Sequence, residues 1–133
     1  MDGDLTMHRG TSAALAPTPT RNVSLPFRLG GFSSLCQALD YAAKGETGLN
    51  FFEARGRMLA SLPYRDLRTQ AQTFARRLIG AGFARGERLM IIADTWPGFC
   101  VAFFGDQYAG LRPVPVAGPV GLGAKASYIQ QLS

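Results

Sequence analysis

The chain has a single histidine, His8, among its 133 residues. A histidine general base and a histidine-built metal centre are both excluded, because His8 lies in an aperiodic leader and reads as a spectator. Cysteine is almost as scarce. Cys36 and Cys100 stand far apart, each flanked by helix-forming residues. Neither a disulfide framework nor a zinc site uses that pattern, so free buried thiols in a reducing compartment are expected. No apolar run approaches the ~18 residues that a membrane-spanning helix requires. The opening residues place Asp2 and Asp4 first, and Pro17 and Pro19 break the short stretch around Leu15. That order suits neither a secretory signal nor an organelle presequence, and a cytoplasmic location follows. No serine or cysteine occupies a nucleophile-elbow setting.

Runs of like charge are missing too. The net charge of +5 comes from twelve arginines with Lys44 and Lys125, against nine acids. The arginines are spread from Arg9 to Arg112, several of them beside Glu53, Asp66 or Glu87. No helix-turn-helix, zinc knuckle or aromatic stacking motif accompanies them. A solvated arginine-rich surface is the reading, with no nucleic-acid partner.

What remains is a folding chain. Hydrophobic residues make up 47% and charged residues 17%, a globular balance at a length suited to one domain. Residues 1–25 are rich in Thr, Pro, Ala and Gly without apolar period, and read as a flexible leader. Leu25-Pro26-Phe27-Arg28 is expected to begin ordered structure, with Phe27 docked on the body. Ser33 or Ser34 can cap a short helix whose inner face carries Leu35, Leu39 and Ala42, and Gly45 is placed to end it as a left-handed cap residue. Leu49 to Ala54 and Arg57 to Ser61 flank Arg55-Gly56 and suggest a hairpin. From about Tyr64 to Ile79 the period becomes helical, with Leu67, Ala71, Phe74, Ala75, Leu78 and Ile79 on one stripe. Gly80 and Gly82 stop that helix.

The stretch from Arg88 to Val116 is the most informative. Leu89 to Ala93 is an apolar run short enough for a central strand. Asp94 or Thr95 can cap the next helix, and Pro97 is tolerated in its first turn because that N–H has no helical partner. Phe99, Val101, Ala102, Phe103, Phe104, Tyr108 and Ala109 leave this helix almost no polar face, so it must lie between layers. Gly110 ends it, and Val114 to Ala117 forms a second, parallel strand through a right-handed crossover. Gly118, Gly121 and Gly123 make a loop before a helix that starts at Lys125.

Few groups in this arrangement bear chemistry. Gly118 to Lys125 opens a helix and admits phosphate binding through backbone N–H groups, or a plain connection. It is not a Walker loop: the spacing differs and Pro119 removes a donor. Asp94, at the carboxyl end of a parallel strand, stands where open α/β sheets place ligands, although helix capping is its preferred role. Trp96 is an interface anchor or a lid over the turn, and Cys100 reads as core packing. No catalytic, cofactor-binding or metal-ligating residue is assigned.

An ordered series of short motifs nevertheless carries a resemblance. It comprises Tyr64-Arg65-Asp66-Leu67, Ala75-Arg76-Arg77-Leu78, Gly80-Ala81-Gly82 and Gly86-Glu87-Arg88-Leu89. Ala93-Asp94-Thr95-Trp96-Pro97, Phe103-Phe104-Gly105, Gln107-Tyr108-Ala109-Gly110 and Pro113-Val114-Pro115-Val116 follow. Over residues 33–133 this order resembles the N-terminal region of AMP-forming acyl-activating enzymes, and most of all the fatty-acyl-AMP ligase branch. The resemblance implies an α/β fold, with residues 26–133 an incomplete N-terminal α/β subdomain of an AMP-binding ligase domain. It also implies a parent enzyme that uses ATP and Mg2+ to make an acyl-adenylate from a fatty acid. The acyl group then passes to a thiol of CoA or of a carrier protein, as in polyketide or peptide assembly. The partners implied are the remainder of that parent and an acyl carrier protein.

The family's phosphate loop with its lysine, its Tyr-Gly-x-x-Glu-type segment, its ribose-binding aspartate, its hinge and its C-terminal catalytic lysine do not occur in these residues. No catalytic role is therefore carried onto this chain, Lys125 included, and by itself it is expected to be inactive. Two competing readings stand beside this one: a non-catalytic interaction module, and an unrelated small nucleotide-binding α/β protein.

Overall fold

The computed structural model describes residues 25–92 and 94–118. The expected leader up to residue 24, the loop beyond Gly118 and the helix from Lys125 lie outside the described residues. Helix α1 (Leu35–Ala42) leads into a hairpin of β1 (Gly48–Phe52) and β2 (Met58–Pro63). Helix α2 (Tyr64–Gly80), β3 (Arg88–Ile92), α3 (Pro97–Tyr108) and β4 (Arg112–Val116) follow. Strands β1 and β2 pair antiparallel, whereas β3 and β4 pair parallel in a separate sheet. The α/β class, the hairpin and the crossover unit are those expected from the sequence, with boundaries within about two residues.

Local chemistry explains most of the boundaries. The Ser34 hydroxyl accepts from the Gln37 N–H at 3.2 Å, and the Gln37 side chain accepts from the Ser33 N–H at 3.0 Å. This is a capping box displaced by one residue. The helix does not end on a left-handed Gly45, because Gly45 has no positive φ. Instead Ala43 closes it in a right-handed conformation, and the Lys44 and Gly45 N–H groups take the carbonyls of Tyr41 and Ala42. At the far end of α3 the expectation holds: Gly110 is left-handed at φ +80°.

The hairpin turns at Gly56 and is clasped by Arg57 and Glu53, 2.8 Å apart. Strand β2 runs directly into α2. Pro63 cannot cap with a side chain, and the Tyr64 N–H instead donates to the Thr47 carbonyl at 3.0 Å.

The core joins Leu39 of α1, Phe51 and Leu62 of the hairpin, and Leu67 of α2. Burial of a leucine of this kind stabilises by ~1.5–3 kcal/mol. Further along α2, Ala71, Ala75 and Leu78 are buried, as their spacing predicts, but Ile79 is 57% exposed. Ile79 sits at the edge of the stripe, and nothing in the described residues packs over it closely enough to cover it. Phe27 is likewise not docked, being 86% exposed. Its segment is held by its neighbours: the Pro26 carbonyl accepts from the Tyr41 hydroxyl, and the Arg28 guanidinium lies 4.3 Å from the Phe32 ring centroid.

Helix α3 packs most extensively on α2 and also touches β3 and β4. Of its residues only Gly105 and Asp106 are buried, while Phe99, Phe103 and Phe104 are half-buried. The apolar surface that implied burial between layers is thus covered on some sides and open on others.

Candidate functional site

Three helices meet at a small polar knot. Asp40 follows the buried Leu39 of α1, Arg68 follows the buried Leu67 of α2, and Tyr108 ends α3. Each polar residue therefore emerges at the rim of the core. Asp40 Oδ1 accepts from the Tyr108 hydroxyl and from Arg68 Nε, both at 2.6 Å. The Tyr108 hydroxyl also lies 3.3 Å from the Cys36 carbonyl. Beside the knot an open groove of about 330 Å³ is lined by Asp40, Lys44, Arg65, Arg68 and Thr69.

The electrostatics make this knot a clamp. Burial pushes the Asp40 carboxyl upward, but the hydrogen bonds from Tyr108 and Arg68 outweigh it and hold the group below its usual value. Tyr108 is raised, first by burial and then by Asp40. At neutral pH the carboxylate stays ionised and the phenol stays protonated, so neither is poised to exchange a proton with a ligand.

Asp106 is the other unusual group. It is fully buried, and among the described residues neither carboxylate oxygen has a hydrogen-bond partner. Burial raises its carboxyl to about 6. The sequence signal was available: Asp106 is the only charged residue of α3, in a segment otherwise almost wholly apolar.

The positions singled out in the sequence do not converge on a reactive centre. Asp94 and Thr95 are exposed and cap nothing, because the N-cap of α3 is Trp96 and the helix start has no side-chain cap. Pro97 at the first helical position fixes the entry one residue later than a cap at Thr95 would need and two later than a cap at Asp94 would need. Trp96 is about half exposed, with its ring 6.4 Å from that of Phe51, so it leans over the hairpin.

Cys36 and Cys100 are free, as expected, but half-buried rather than buried. Burial raises both thiols, and Asp40 raises Cys36 further. Neither has the lowered pKa of an activated nucleophile. Gly118 lies against Ile92 Cγ2, where an added Cβ would sit 3.8 Å away. Lys125 and His8 lie outside the described residues. Among the described residues no three His, Cys, Asp or Glu side chains gather as a metal site.

Taken together, the hairpin, the α2 cover and the parallel crossover unit define an α/β body. Residues 50–126 match the model of the AMP-binding enzyme family, and the chain belongs to that family. It is 45% identical over 121 residues to a Caulobacter vibrioides protein assigned as an acyl-CoA synthetase, covering 91% of this chain and 21% of that protein. It superimposes with a TM-score of 0.76 and 40% identity on a solved fatty acyl-adenylate ligase from a study of the E. coli and L. pneumophila enzymes. That match covers 80% of this chain and 19% of the other. An L. pneumophila fatty acyl-adenylate ligase bound to acyl adenylate and pyrophosphate shares the fold, with a TM-score of 0.61 at 24% identity over 74% of this chain and 18% of that one. The chain thus spans about a fifth of the length of these relatives. Membership of the AMP-binding family sets aside the reading as an unrelated small nucleotide-binding α/β protein.

Proposed function

We propose that the chain is the front portion of a fatty acyl-AMP ligase, in which residues 26–133 supply part of the N-terminal α/β body. The observation that carries this is the 40% identity, with a TM-score of 0.76, to a fatty acyl-adenylate ligase over four-fifths of the chain. In the parent, a fatty acid carboxylate oxygen attacks the α-phosphorus of ATP and the bond to the β-phosphate oxygen breaks, releasing pyrophosphate. A carboxylate is a poor electrophile, and the adenylate gives it a good leaving group. A thiol then attacks the acyl carbon and AMP departs. Magnesium accompanies the ATP, the acceptor is a carrier-protein or CoA thiol, and the enzyme works in the cytoplasm.

The residues described here orient and support. Leu39, Phe51, Leu62 and Leu67 lock the hairpin to the helices, and the Asp40 clamp fixes the ends of α1 and α3. The groups that touch ATP belong to the rest of the parent. ATP–pyrophosphate exchange driven by fatty acids tests both parts of the proposal. The parent is expected to exchange and the 133-residue chain to show none. A parent without fatty-acid-dependent exchange sinks the ligase reading, and exchange by the chain alone sinks the supporting role.

A further inference from the structure

The groove beside the polar knot carries more cations than acids. Lys44, Arg65 and Arg68 line it against one carboxylate, Asp40, while Thr69 adds no charge. Like charges gathered around one opening repel, and a groove of about 330 Å³ has room for a small ion between them. Arg68 is paired with Asp40, whereas Lys44 and Arg65 form no ion pair among the described residues. The sequence sets this up locally. Arg65, Arg68 and Thr69 stand three and four positions apart in α2, so they share one side of that helix. Lys44 comes just after α1, in a turn held by its own N–H on the Tyr41 carbonyl at 3.1 Å.

Arg68 is the prepared group. Its Nε donates to Asp40 Oδ1 at 2.6 Å, and the Tyr108 hydroxyl donates to the same oxygen. That anchorage orients the guanidinium, while its terminal N–H groups donate to no carboxylate among the described residues. A planar fork held at one edge and open at the other suits an oxyanion that can take two parallel N–H bonds. Charge narrows the class of ligand. Three cations against Asp40 leave two positive charges around the groove. A phosphate monoester carries about −1.5 to −2 at neutral pH and matches them, whereas a single carboxylate leaves one cation unanswered. Arg65 also lines the neighbouring groove with Glu46 and Asp66, so Lys44 and Arg68 supply most of the attraction.

We propose that the groove between α1 and α2 at Lys44, Arg65 and Arg68 binds a phosphate group, either as the free ion or as a monoester. The site holds its ligand and does no chemistry on it, because Asp40 stays ionised and Tyr108 stays protonated at neutral pH. Its charge and its held guanidinium are the same whether or not the parent is a fatty acyl-AMP ligase.

Titration of the full 133-residue chain with inorganic phosphate, and separately with methyl phosphate, tests it by proton–nitrogen correlation spectra at constant ionic strength. Acetate serves as the monoanion control. Saturable shifts are expected at the amides of Lys44, Arg65, Arg68 and Thr69, with none from acetate. Binding of inorganic phosphate alone identifies the free ion as the ligand, and binding of methyl phosphate identifies the monoester. Arg68→Lys keeps the charge but loses the fork, and should weaken binding by about ten-fold. Lys44→Gln alters an exposed side chain outside the clamp and should weaken it by about three-fold without changing the melt. Arg76→Gln removes a charge from the same helix away from the groove and should change it by less than about two-fold. No saturable shift from either phosphate, equal shifts from acetate, or full affinity in Lys44→Gln overturns the proposal.

Discussion

Tyr108, the last residue of α3, donates its phenolic hydrogen to Asp40 of α1 at 2.6 Å, joining elements 68 positions apart in sequence. Arg68 approaches the same oxygen from α2 at the same distance. One carboxylate oxygen thereby fixes three helices around the core. The two donors are unequal in worth. The ion pair is about two-fifths exposed on both sides, and solvent-exposed pairs contribute ~0–1 kcal/mol. The phenol is less accessible, and a hydrogen bond to a charged group contributes about 1.5–3 kcal/mol. Tyr108→Phe is therefore expected to lower unfolding stability in urea by about 2 kcal/mol, and Arg68→Ala by under ~1 kcal/mol. A larger loss from Arg68→Ala would reverse this ranking.

Asp106 gives the fold an unusual pH response. Its carboxyl is raised to about 6 from an ordinary 3.8, so the folded state keeps a proton that the unfolded chain releases. Stability consequently falls as pH rises through that interval and levels off above it, by on the order of 3 kcal/mol. Asp40 has the opposite sign, since its lowered carboxyl stabilises above the ordinary carboxylate range and loses that contribution only in stronger acid. Asp106→Ala is expected to be more stable than the parent chain at pH 7.5 and to flatten the profile between pH 4 and about 6, measured by urea melts. Asp106→Asn should flatten it as well while keeping a buried amide to satisfy. An unchanged slope in both would show that another group titrates there.

The elements were legible because hydrophobic period and glycine punctuation are local signals. The helical stripe from Leu67 to Leu78, the apolar run of β3 and the stop at Gly110 all appear where those signals put them. The polar knot was not legible. Asp40 and Tyr108 meet only because α1 and α3 converge, and nothing near either residue in sequence reports that. Tyr108 reads as one more apolar residue of its helix until its hydroxyl finds a partner. The cap of α3 was missed for a related reason: Asp94 and Thr95 have the right chemistry, but Pro97 sets the first turn and leaves Trp96 as the boundary. Asp106 was visible as a charge in an apolar helix, yet its lack of a partner emerges only from packing.

The thiols should be slow. Burial raises both Cys36 and Cys100, so the thiolate fraction at neutral pH is below that of a free cysteine. Alkylation of the native chain by iodoacetamide at pH 7.5, followed by intact mass, is expected to lag a free thiol by ten-fold or more, counting access as well as ionisation. The rates should rise with pH beyond the usual thiol range and converge on the free-thiol value in denaturant. Rapid modification of Cys100 in the folded chain would mean that its cover is loose.

Gly105 sets how closely α2 and α3 approach. A Cβ built at this position would stand 2.6 Å from Phe74 Cδ1 and 3.0 Å from the Ala71 carbonyl oxygen. The Phe74 ring can turn aside, but the Ala71 carbonyl is helix backbone and moves only with α2. Intrinsic propensity favours alanine over glycine within a helix by ~1 kcal/mol, so two effects oppose each other in Gly105→Ala. Overpacking in a filled contact costs about 1–3 kcal/mol, and the clash involves backbone, so the steric term is expected to win. The net loss should be about 1 kcal/mol. Gly98 provides the control within the same helix, because nothing lies within 4 Å of its added Cβ. Gly98→Ala is expected to leave stability unchanged or raise it by up to ~1 kcal/mol, with urea midpoints at constant slope as the measurement. If the two substitutions shift the midpoint in the same direction by similar amounts, the helices are not held at the distance that Gly105 permits.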